Sequence, residues 1–170
     1  MLTNCLGVTD DQFYEAIQAF PGAANRLETI ASKNGAHVIK DFAHAPSKVV
    51  ATTKAVKKQF GSAKLIACLE LHTFSSLNAD FIPQYENTMK VADVAFVYFN
   101  PGVLSAKQLP ALDKEVLAKA FKSPVRVFTD IAELEQAILA EKSGKANLLL
   151  MSSGNFHGLD YNSLVTKFLG

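Results

Sequence analysis

The strongest constraint on the fold is an alternation along the chain between short apolar runs and segments with helical periodicity. The apolar runs are continuous, and a strand that is apolar on both sides is buried on both sides, as in a parallel sheet covered by helices. The pattern therefore predicts an α/β fold in which a mostly parallel sheet lies between two helical layers. Strands are predicted at residues 64–70, 94–99, 125–128 and 147–151, and helices at 10–20, 46–60, 79–92, 113–121, 130–141 and 161–169.

A hairpin near the start of the sheet is predicted to supply its one antiparallel strand. Residues 26–31 and 36–41 are two short strand-like segments joined across Lys33-Asn34-Gly35. The dipeptide Asn-Gly favours a tight hairpin turn. Further along, residues 100–112 carry two prolines and a glycine, and we predict a surface loop there.

Composition indicates a cytoplasmic protein with one sizeable hydrophobic core. The chain has 170 residues, of which 49% are hydrophobic, and its formal net charge of +1 gives no overall attraction to nucleic acid or membranes. Cys5 and Cys68 are far apart and lack metal or redox spacing, which fits a reducing compartment. Because no targeting segment or bilayer-spanning run is recognisable, we predict a cytoplasmic location without nucleic-acid or membrane partners.

Polar side chains follow several of the predicted strands at the points where those strands end. Asp41 and His44 follow one strand, Glu70 and His72 a second, and residues 152–157 a third. The carboxyl ends of parallel strands meet at one edge of the sheet, where ligands bind in open α/β folds. Taken singly, Asp41 could be a helix cap, a lone histidine a surface residue, and Ser-Ser-Gly-Asn a turn. Their recurrence at several strand ends favours a site.

Several common site types lack their sequence signature. There is no Gly-x-x-x-x-Gly-Lys-Ser/Thr loop, no Gly-x-Gly-x-x-Gly fingerprint after the first strand and no Gly-x-Ser-x-Gly elbow. Three strand-end histidines with Asp41 or Glu70 could in principle bind a divalent metal. No His-x-His or His-x-x-x-His pair presets the geometry, so we predict no metal ligands.

A resemblance to a known family emerges from three parts of the chain. Residues 20–28, Phe-Pro-Gly-Ala-Ala-Asn-Arg-Leu-Glu, precede the block Asp41-Phe42-Ala43-His44-Ala45-Pro46. Together they resemble the start of the C-terminal domain of the Mur ligases, with its Phe-x-Gly stretch, its Arg and acidic residue, and its Asp-Tyr-Ala-His-x-Pro-like block. Glu70-Leu71-His72-Thr73-Phe74-Ser75 is similar to the family's Pro-His-Arg-Tyr-Ser segment, and residues 148–156 resemble its last strand and glycine loop.

Within the family, the resemblance is strongest to the branch that joins UDP-N-acetylmuramate to an L-alanyl-γ-D-glutamyl-diaminopimelate peptide in peptidoglycan recycling. The branch that adds L-alanine to UDP-N-acetylmuramate comes next. The resemblance implies a Rossmann-like three-layer sandwich at residues 23–170. Residues 1–22 would then contain the final helix of the preceding central ATPase domain. That missing domain would carry the P-loop and hold most of the ATP and Mg²⁺.

The resemblance also implies roles for individual residues. Family ligases activate a substrate carboxylate as an acyl phosphate with ATP, and an amine then attacks it. The C-terminal domain closes over the nucleotide and helps bind the amine, so the chain by itself would hold no catalytic residue and would be inactive. The implied nucleotide-binding residues are Arg26, Asp41 and His44, and the implied amine-binding residues are His72, Ser75, Ser153, Asn155 and Phe156.

One departure from the family pattern bears on the amine substrate. Thr73 stands where the alanine-adding branch usually carries an arginine for the amino-acid carboxylate. Losing that bidentate cation should weaken the binding of free L-alanine, which favours a peptide substrate. A second hypothesis from the residues alone stays open, namely a stand-alone α/β module that binds a nucleotide or a small acid directly.

Overall fold

The structure, a computed structural model, describes residues 7–18 and 26–170. Six strands form one sheet in the order β1-β2-β6-β3-β4-β5. The strands are β1 (Glu28–Lys33), β2 (Ala36–Asp41), β3 (Leu65–Glu70), β4 (Val94–Tyr98), β5 (Arg126–Phe128) and β6 (Asn147–Met151). The helices are α1 (Asp10–Gln18), α2 (Pro46–Phe60), α3 (Pro101–Ala106), α4 (Lys114–Ala120), α5 (Ile131–Ala140) and α6 (Tyr161–Leu169), with a short 3-10 helix at Ile82–Tyr85.

The strand directions confirm the predicted Rossmann-like α/β sandwich. β1 pairs with β2 in antiparallel fashion, and every other neighbouring pair of strands is parallel. The hairpin turn at Asn34 and Gly35 has φ angles of 53° and 81°. Two consecutive positive φ values match the turn type that fits the right-handed twist of paired strands. The Asn-Gly signal therefore predicted both the turn and the antiparallel strand correctly.

Alternate residues of each central strand enter two separate apolar layers. Ile39, Ala67 and Leu149 face the layer that contains residues of α2, α3 and α4. On the other face, Cys68 and Leu148 pack with residues of α5 and α6. β3 and β6 are buried along their whole length, which explains their continuous apolar sequences. Burial also raises the pKa of the Cys68 thiol far above its usual value, so this cysteine is a packing residue.

The predicted helix at residues 79–92 is wrong. This stretch forms turns around the 3-10 helix Ile82–Tyr85. Pro83 has no N–H to donate, and Asn87 adopts a φ of 57°, while its N–H donates to the carbonyl of Phe121 at 2.7 Å. Each of these features interrupts an α-helix. The apolar spacing that suggested a helix instead places Tyr85 and Met89 in the core.

The prediction of a loop at residues 100–112 is also partly wrong, because α3 occupies its first half. Asn100 caps this helix by accepting a hydrogen bond from the N–H of Gly102 at 2.7 Å, and Pro101 occupies its first turn. Asparagine at the cap and proline at the first position are a known start signal. The same two residues that suggested a loop therefore begin a short helix.

The N-terminal helix α1 covers the described part of the helix predicted at residues 10–20. Its cap is Thr9 rather than the predicted Asp10. The Thr9 Oγ1 accepts from the N–H of Gln12 at 3.2 Å, and the Thr9 N–H donates to Gln12 Oε1 at 3.0 Å, which is a capping box. No residue of α1 is buried. The predicted domain boundary at residues 22 and 23 lies outside the described residues. No helix in the described ranges is long and apolar enough to cross a membrane.

Asp93 fixes the start of β3, and this contact makes stability depend on pH. Its Oδ2 accepts from the N–H of Leu65 at 2.7 Å and from the Lys57 ammonium. Burial by itself raises the pKa of Asp93, but the hydrogen bonds from Lys57 and Leu65 and the Lys57 charge together lower it below its usual value. A lowered folded-state pKa stabilises the fold above the ordinary carboxyl pKa, and that stability is lost as pH falls through the folded-state pKa.

We therefore expect Asp93→Asn to lower the urea midpoint of unfolding at pH 7. The difference from the parent chain should shrink as the pH falls towards about 3, where the carboxyl group is protonated in both states. The exposed Asp80, whose carboxylate makes no hydrogen bond or ion pair within the described ranges, offers the control variant Asp80→Asn. An equal effect of both substitutions, or a difference that does not change with pH, would contradict this account.

Candidate functional site

The register of β2, β6 and β3 brings the strand-end polar residues to one edge of the sheet. Asp41 is the Cα partner of Met151, which also pairs with Leu69. The N–H of Ser152 donates to the carbonyl of Asp41 at 3.0 Å. Since neighbouring strands lie about 4.8 Å apart, Asp41 and Glu70 flank the end of β6 on either side. The predicted gathering of these side chains is therefore confirmed for Asp41, Glu70 and Ser152.

The chain leaves this edge towards both faces of the sheet. The segment after β3 packs Leu71 and Leu77 into the layer that contains α2. The segment after β6 packs Phe156 and Leu159 into the opposite layer, which contains α6. Such a divergence of connections opens a crevice at the carboxyl ends of the strands. Two clusters of polar side chains lie there, one around Asp41 and one around Glu70.

The Asp41 cluster lines a cavity of about 290 Å³. Two cationic side chains, Arg26 and Lys48, stand at its rim, and neither forms an ion pair within residues 26–170. Exposed Leu27 and half-exposed Phe42 add apolar surface. The full lining is Arg26, Leu27, Asp41, Phe42, Ala43, Lys48, Ala51 and Thr52. A cavity with two free cations and an apolar wall suits a ligand with both a flat apolar part and negative charge.

The carboxylate of Asp41 holds the wall of this cavity together. Its Oδ2 accepts from the N–H of Leu27 at 2.7 Å. Its Oδ1 accepts from the N–H of Ala43 at 2.7 Å and from Thr52 Oγ1 at 3.2 Å. A carboxylate offers about four acceptor positions, so three are used within the chain. One position is left for a ligand hydroxyl, and Asp41 is 8% exposed.

His44 lies beside the cavity rather than in its lining. Its Nδ1 lies 3.0 Å from the carbonyl of Phe42, and its ring meets the Phe42 ring edge to face at 5.3 Å. The Tyr85 hydroxyl donates to the His44 carbonyl. Burial raises the pKa of Tyr85 to about 12, against a lowering effect of its hydrogen bond with Ser76, so the hydroxyl keeps its proton. His44 therefore supports Phe42, which faces the cavity.

The second cluster is built on the buried carboxylate of Glu70, which is 2% exposed. Its Oε2 accepts from Ser152 Oγ in a short hydrogen bond and from the N–H of Phe156 at 2.9 Å. Ser152 Oγ in turn accepts from the N–H of Gly154 at 2.7 Å. The other carboxylate oxygen of Glu70, Oε1, lies 3.9 Å from His72 Nδ1. Glu70 thus joins the end of β3 to the loop after β6.

The loop packs so closely against this carboxylate that it needs a glycine. A Cβ atom added to Gly154 would lie 2.9 Å from Glu70 Oε2 and 3.0 Å from His72 Cγ. Distances below about 3 Å would force one of these groups to move. Gly154 is therefore required for close contact between the loop, the carboxylate and the imidazole.

The other predicted amine-site residues surround this cluster at different depths. His72 has a side chain that is 40% exposed. Ser75 is exposed, in a turn held by hydrogen bonds between Thr73 and Ser76. Asn155 is exposed and accepts from the N–H of Gly158 at 3.2 Å. Ser153 Oγ is buried and has no hydrogen-bond partner among the described residues.

Phe156 corrects one expectation. Its ring is fully buried and stacks on Tyr98 at 6.2 Å between ring centroids. It therefore anchors the loop to the core and does not face the crevice. Its φ of 49° turns the chain sharply at this point, which leaves its N–H directed at Glu70.

A family model for the Mur ligases, described as the glutamate ligase domain, matches residues 25–154. The chain belongs to the Mur ligase family. The matched residues include the Asp41 cluster and the Glu70 cluster as far as Gly154, and the family membership confirms the resemblance inferred from the sequence motifs. The polar residues at this sheet edge are therefore those of a Mur ligase C-terminal domain.

A curated relative and two solved structures extend this finding. A UDP-N-acetylmuramate–L-alanine ligase of Chlorobium chlorochromatii is 27% identical over 168 residues, which cover 95% of this chain and 35% of the relative. A murein peptide ligase from Psychrobacter arcticus shares the fold with a TM-score of 0.70 and 23% identity, over 92% of this chain and 32% of that one. The chain thus spans about a third of the length of the curated relatives that it matches.

The other solved structure has a size similar to that of this chain. It is a domain from a putative ligase of Haemophilus ducreyi that acts on UDP-N-acetylmuramate and an L-alanyl-γ-D-glutamyl-diaminopimelate peptide. It matches with a TM-score of 0.56 and 25% identity, over 85% of this chain and 97% of that one. A C-terminal region of this family is therefore also known as a separate folded domain.

The side chains that commonly bind metals are spread apart in the described part of the chain. Between residues 7 and 18 and from 26 onwards, no three His, Cys, Asp or Glu side chains lie close enough together to bind a metal ion. At the sheet edge, the carboxylates of Asp41 and Glu70 accept hydrogen bonds from backbone N–H groups.

Sequence reasoning missed three residues that build the site. Glu70 was noted at a strand end but not counted among the binding residues. Lys48 was assigned only to the outer face of α2, and Thr52 was not singled out. The polar Thr52 sits between apolar positions of a helix that faces the core, which was a usable signal. The partner of Glu70 is 82 residues away at Ser152, so no local pattern could reveal it.

Two adjacent serines allow a matched test of the Glu70 cluster. We expect Ser152→Ala to destabilise the fold by about 1.5–3 kcal/mol, because it removes a hydrogen bond to a buried charged carboxylate. Ser153→Ala should leave the stability unchanged or raise it slightly, since Ser153 Oγ is buried without a partner. Urea unfolding of both variants measures the difference. Equal destabilisation would contradict the assigned hydrogen bonds.

Proposed function

We propose that this chain is the C-terminal domain of an ATP-dependent ligase that forms an amide bond between UDP-N-acetylmuramate and an L-alanine-initiated peptide, or L-alanine itself. The product would serve peptidoglycan synthesis or recycling. One observation supports the proposal most strongly. The cationic cavity around Asp41 and the loop held by Glu70 lie at the same edge of the sheet, in a domain that matches the family model. Such a pair of neighbouring sites suits an enzyme that brings a nucleotide and an amine together.

The cavity around Asp41 is the proposed nucleotide side. Arg26 and Lys48 supply two cations at its rim, and a planar guanidinium suits the charge that develops during phosphoryl transfer. Asp41 has one acceptor position left for a ribose hydroxyl. His44 acts through Phe42, whose exposed ring offers a surface for a flat base. These contacts favour a nucleotide over a purely apolar ligand.

The cluster around Glu70 is the proposed amine side. His72, Ser75, Ser153 and Asn155 surround it with groups that can accept hydrogen bonds from an incoming amine. Thr73 gives no cation for the carboxylate next to that amine. This absence favours a peptide, whose affinity can come from contacts further along its length, over free L-alanine. Among the names of similar proteins, a murein peptide ligase occurs beside L-alanine ligases.

The complete reaction requires more protein than this chain contains. The chain has no P-loop motif and spans about a third of its curated relatives. ATP, Mg²⁺ and the muramate carboxylate would therefore be held mainly by the other domains of the ligase. In this scheme the present domain closes over ATP and delivers the amine to the acyl phosphate. A cytoplasmic location stays a prediction, consistent with the cytoplasmic supply of nucleotide substrates.

We expect the purified 170-residue chain to release no ADP when it is incubated with ATP, Mg²⁺, UDP-N-acetylmuramate and either amine. The physical reason is that the sequence contains no P-loop to hold the phosphates of ATP, so the carboxylate is not activated. Turnover above the background would contradict this assignment. Calorimetry with ATP on the same chain addresses the stand-alone binding module. Tight binding would favour that module, and weak or absent binding favours a domain that needs its partners.

The two arginines of the chain offer a matched test of the nucleotide side in the complete ligase. Arg26→Ala should raise the KM for ATP roughly tenfold, because it removes a charged hydrogen-bond donor from the cavity. Arg126→Ala is the control, since Arg126 lies 3.8 Å from Glu141 at the start of β5, on the opposite side of the sheet from the cavity. Steady-state kinetics with varied ATP measures both. Equal KM values for the two variants would remove Arg26 from the nucleotide side.

A further inference from the structure

We propose that Glu70 is a positioning residue for the amine substrate. In this assignment its buried carboxylate fixes the loop at residues 152–156 and orients His72, with Nδ1 towards Glu70 and Nε2 towards the substrate. The identity of the substrate as an amine rests on the proposed function. The arrangement of Glu70, His72 and the loop rests on the geometry alone.

The two oxygens of Glu70 have different partners. Oε2 accepts hydrogen bonds from Ser152 Oγ and from the N–H of Phe156. Oε1 faces His72 Nδ1 at 3.9 Å, which is within ion-pair range, and accepts no hydrogen bond within residues 26–170. One oxygen is therefore committed to the loop, while the other is directed at the imidazole.

This asymmetry sets the tautomer of His72. An ionised carboxylate can only accept hydrogen bonds, so it favours the imidazole form whose proton is on the facing nitrogen. The proton of the neutral ring therefore belongs on Nδ1, and the lone pair belongs on Nε2. Because the His72 side chain is 40% exposed, that lone pair can face the crevice. A substrate ammonium group carries only donors, so Nε2 is a matching acceptor.

The negative charge of Glu70 also affects the pKa values of two nearby tyrosines. Burial and, to a smaller extent, the Glu70 charge together raise the pKa of Tyr161 to about 12. Burial and the charges of Glu70 and Asp130 likewise raise the pKa of Tyr98. No Lys or Arg within the described ranges pairs with Glu70, whose one ion-pair contact there is His72. An unneutralised buried anion favours a cationic ligand such as an ammonium group.

Close packing couples the Glu70 carboxylate, the His72 ring and the loop at residues 152–156. Gly154 approaches both Glu70 Oε2 and the His72 ring so closely that a Cβ atom would not fit. The buried Ser153 Oγ, which has no hydrogen-bond partner among the described residues, lies next to Gly154 in the chain. Removing the Glu70 carboxylate would therefore release the loop and the imidazole at once, and a change at one of them would reach the other.

The first arm of the test uses the 170-residue chain itself. Imidazole ¹⁵N chemical shifts of His72 are measured at about pH 8.5, where an ordinary histidine is neutral. We expect the Nδ1–H form in the parent chain and a shift towards the Nε2–H form in Glu70→Leu. Finding the Nε2–H form in the parent chain, or an unchanged tautomer in Glu70→Leu, would overturn the proposal.

The second arm measures kinetics in the complete ligase. Glu70→Leu should raise the KM for the amine about tenfold or more and leave the KM for ATP unchanged, because charged hydrogen bonds are lost only on the amine side. Glu70→Gln keeps a carbonyl oxygen for Ser152 and Phe156 but places a donor NH2 group opposite His72 Nδ1, so it should keep the loop, favour the Nε2–H tautomer and still raise the KM for the amine. The control Glu141→Leu removes a carboxylate that pairs with Lys64, remote from this edge, and should change neither KM.

The outcomes separate this inference from the proposed function. An active ligase in which Glu70→Leu folds but keeps its KM for the amine, or in which both KM values rise equally, overturns the positioning role. A parent enzyme without any amine-dependent ADP release overturns the proposed function instead, and the tautomer of His72 then still decides the inference. If Glu70→Leu does not fold, the proposal is tested by the His72 tautomer of the parent chain and by the tautomer and amine KM of Glu70→Gln. A Gln variant that folds and shows the Nε2–H tautomer with a raised KM for the amine supports the proposal, whereas a Gln variant with the parent tautomer and the parent KM overturns it.

Discussion

The parallel pairing of β6 between β2 and β3 is the constraint on which the rest of the structure depends. β6 is the last strand in the chain, yet it lies between the first two parallel strands. Its register places Asp41 and Leu69 opposite the same residue, Met151. Long-range pairing of this kind is entropically demanding to form, and the full burial of β6 provides the compensating hydrophobic gain. The candidate site exists only once this strand is inserted.

Asp41 and Glu70, which lie on opposite faces of the sheet, are both stabilised as buried carboxylates by hydrogen bonds from nearby loops. Each is a buried carboxylate at the end of a strand, and each accepts backbone N–H groups from a loop that would otherwise lack partners. Burying an anion is unfavourable unless hydrogen bonds satisfy it. Each carboxylate also retains some acceptor capacity: Asp41 uses three of about four positions, and Glu70 Oε1 accepts no hydrogen bond within residues 26–170. A residue that builds the loop and leaves one oxygen available can serve structure and binding together.

Membership in the Mur ligase family gives these two clusters a common context. In a ligase that passes an activated carboxylate to an amine, the nucleotide and the amine must meet at one place. A single rigid sheet edge meets that requirement, because the ends of neighbouring strands are held at fixed spacing. In the ligase proposed above, the cationic rim around Arg26 and the half-exposed His72 would be the surfaces available to ligands and to the other domains.

Much of this fold could be predicted from local sequence patterns. The continuous apolar runs predicted β3, β4 and β6, and Asn34-Gly35 predicted the hairpin. Helix α2 was predicted with its observed bounds, because Pro46 and the apolar spacing that follows it are strong local signals. Where local signals were ambiguous, the prediction failed. Residues 79–92 have helical apolar spacing, but Pro83 and the left-handed Asn87 divide them into turns.

The sequence by itself determined the fold class, the family and the strand-end residues, because these depend on periodicity and on short motifs. The tertiary structure decided which of those residues work together. It turned Phe156 into the core and gave Asp41 three backbone and side-chain donors. It also brought Ser152 and Phe156 to Glu70 across more than 80 residues. The physical reason is that a buried carboxylate must find donors, and for Glu70 these donors come within reach only when β6 is inserted beside β3.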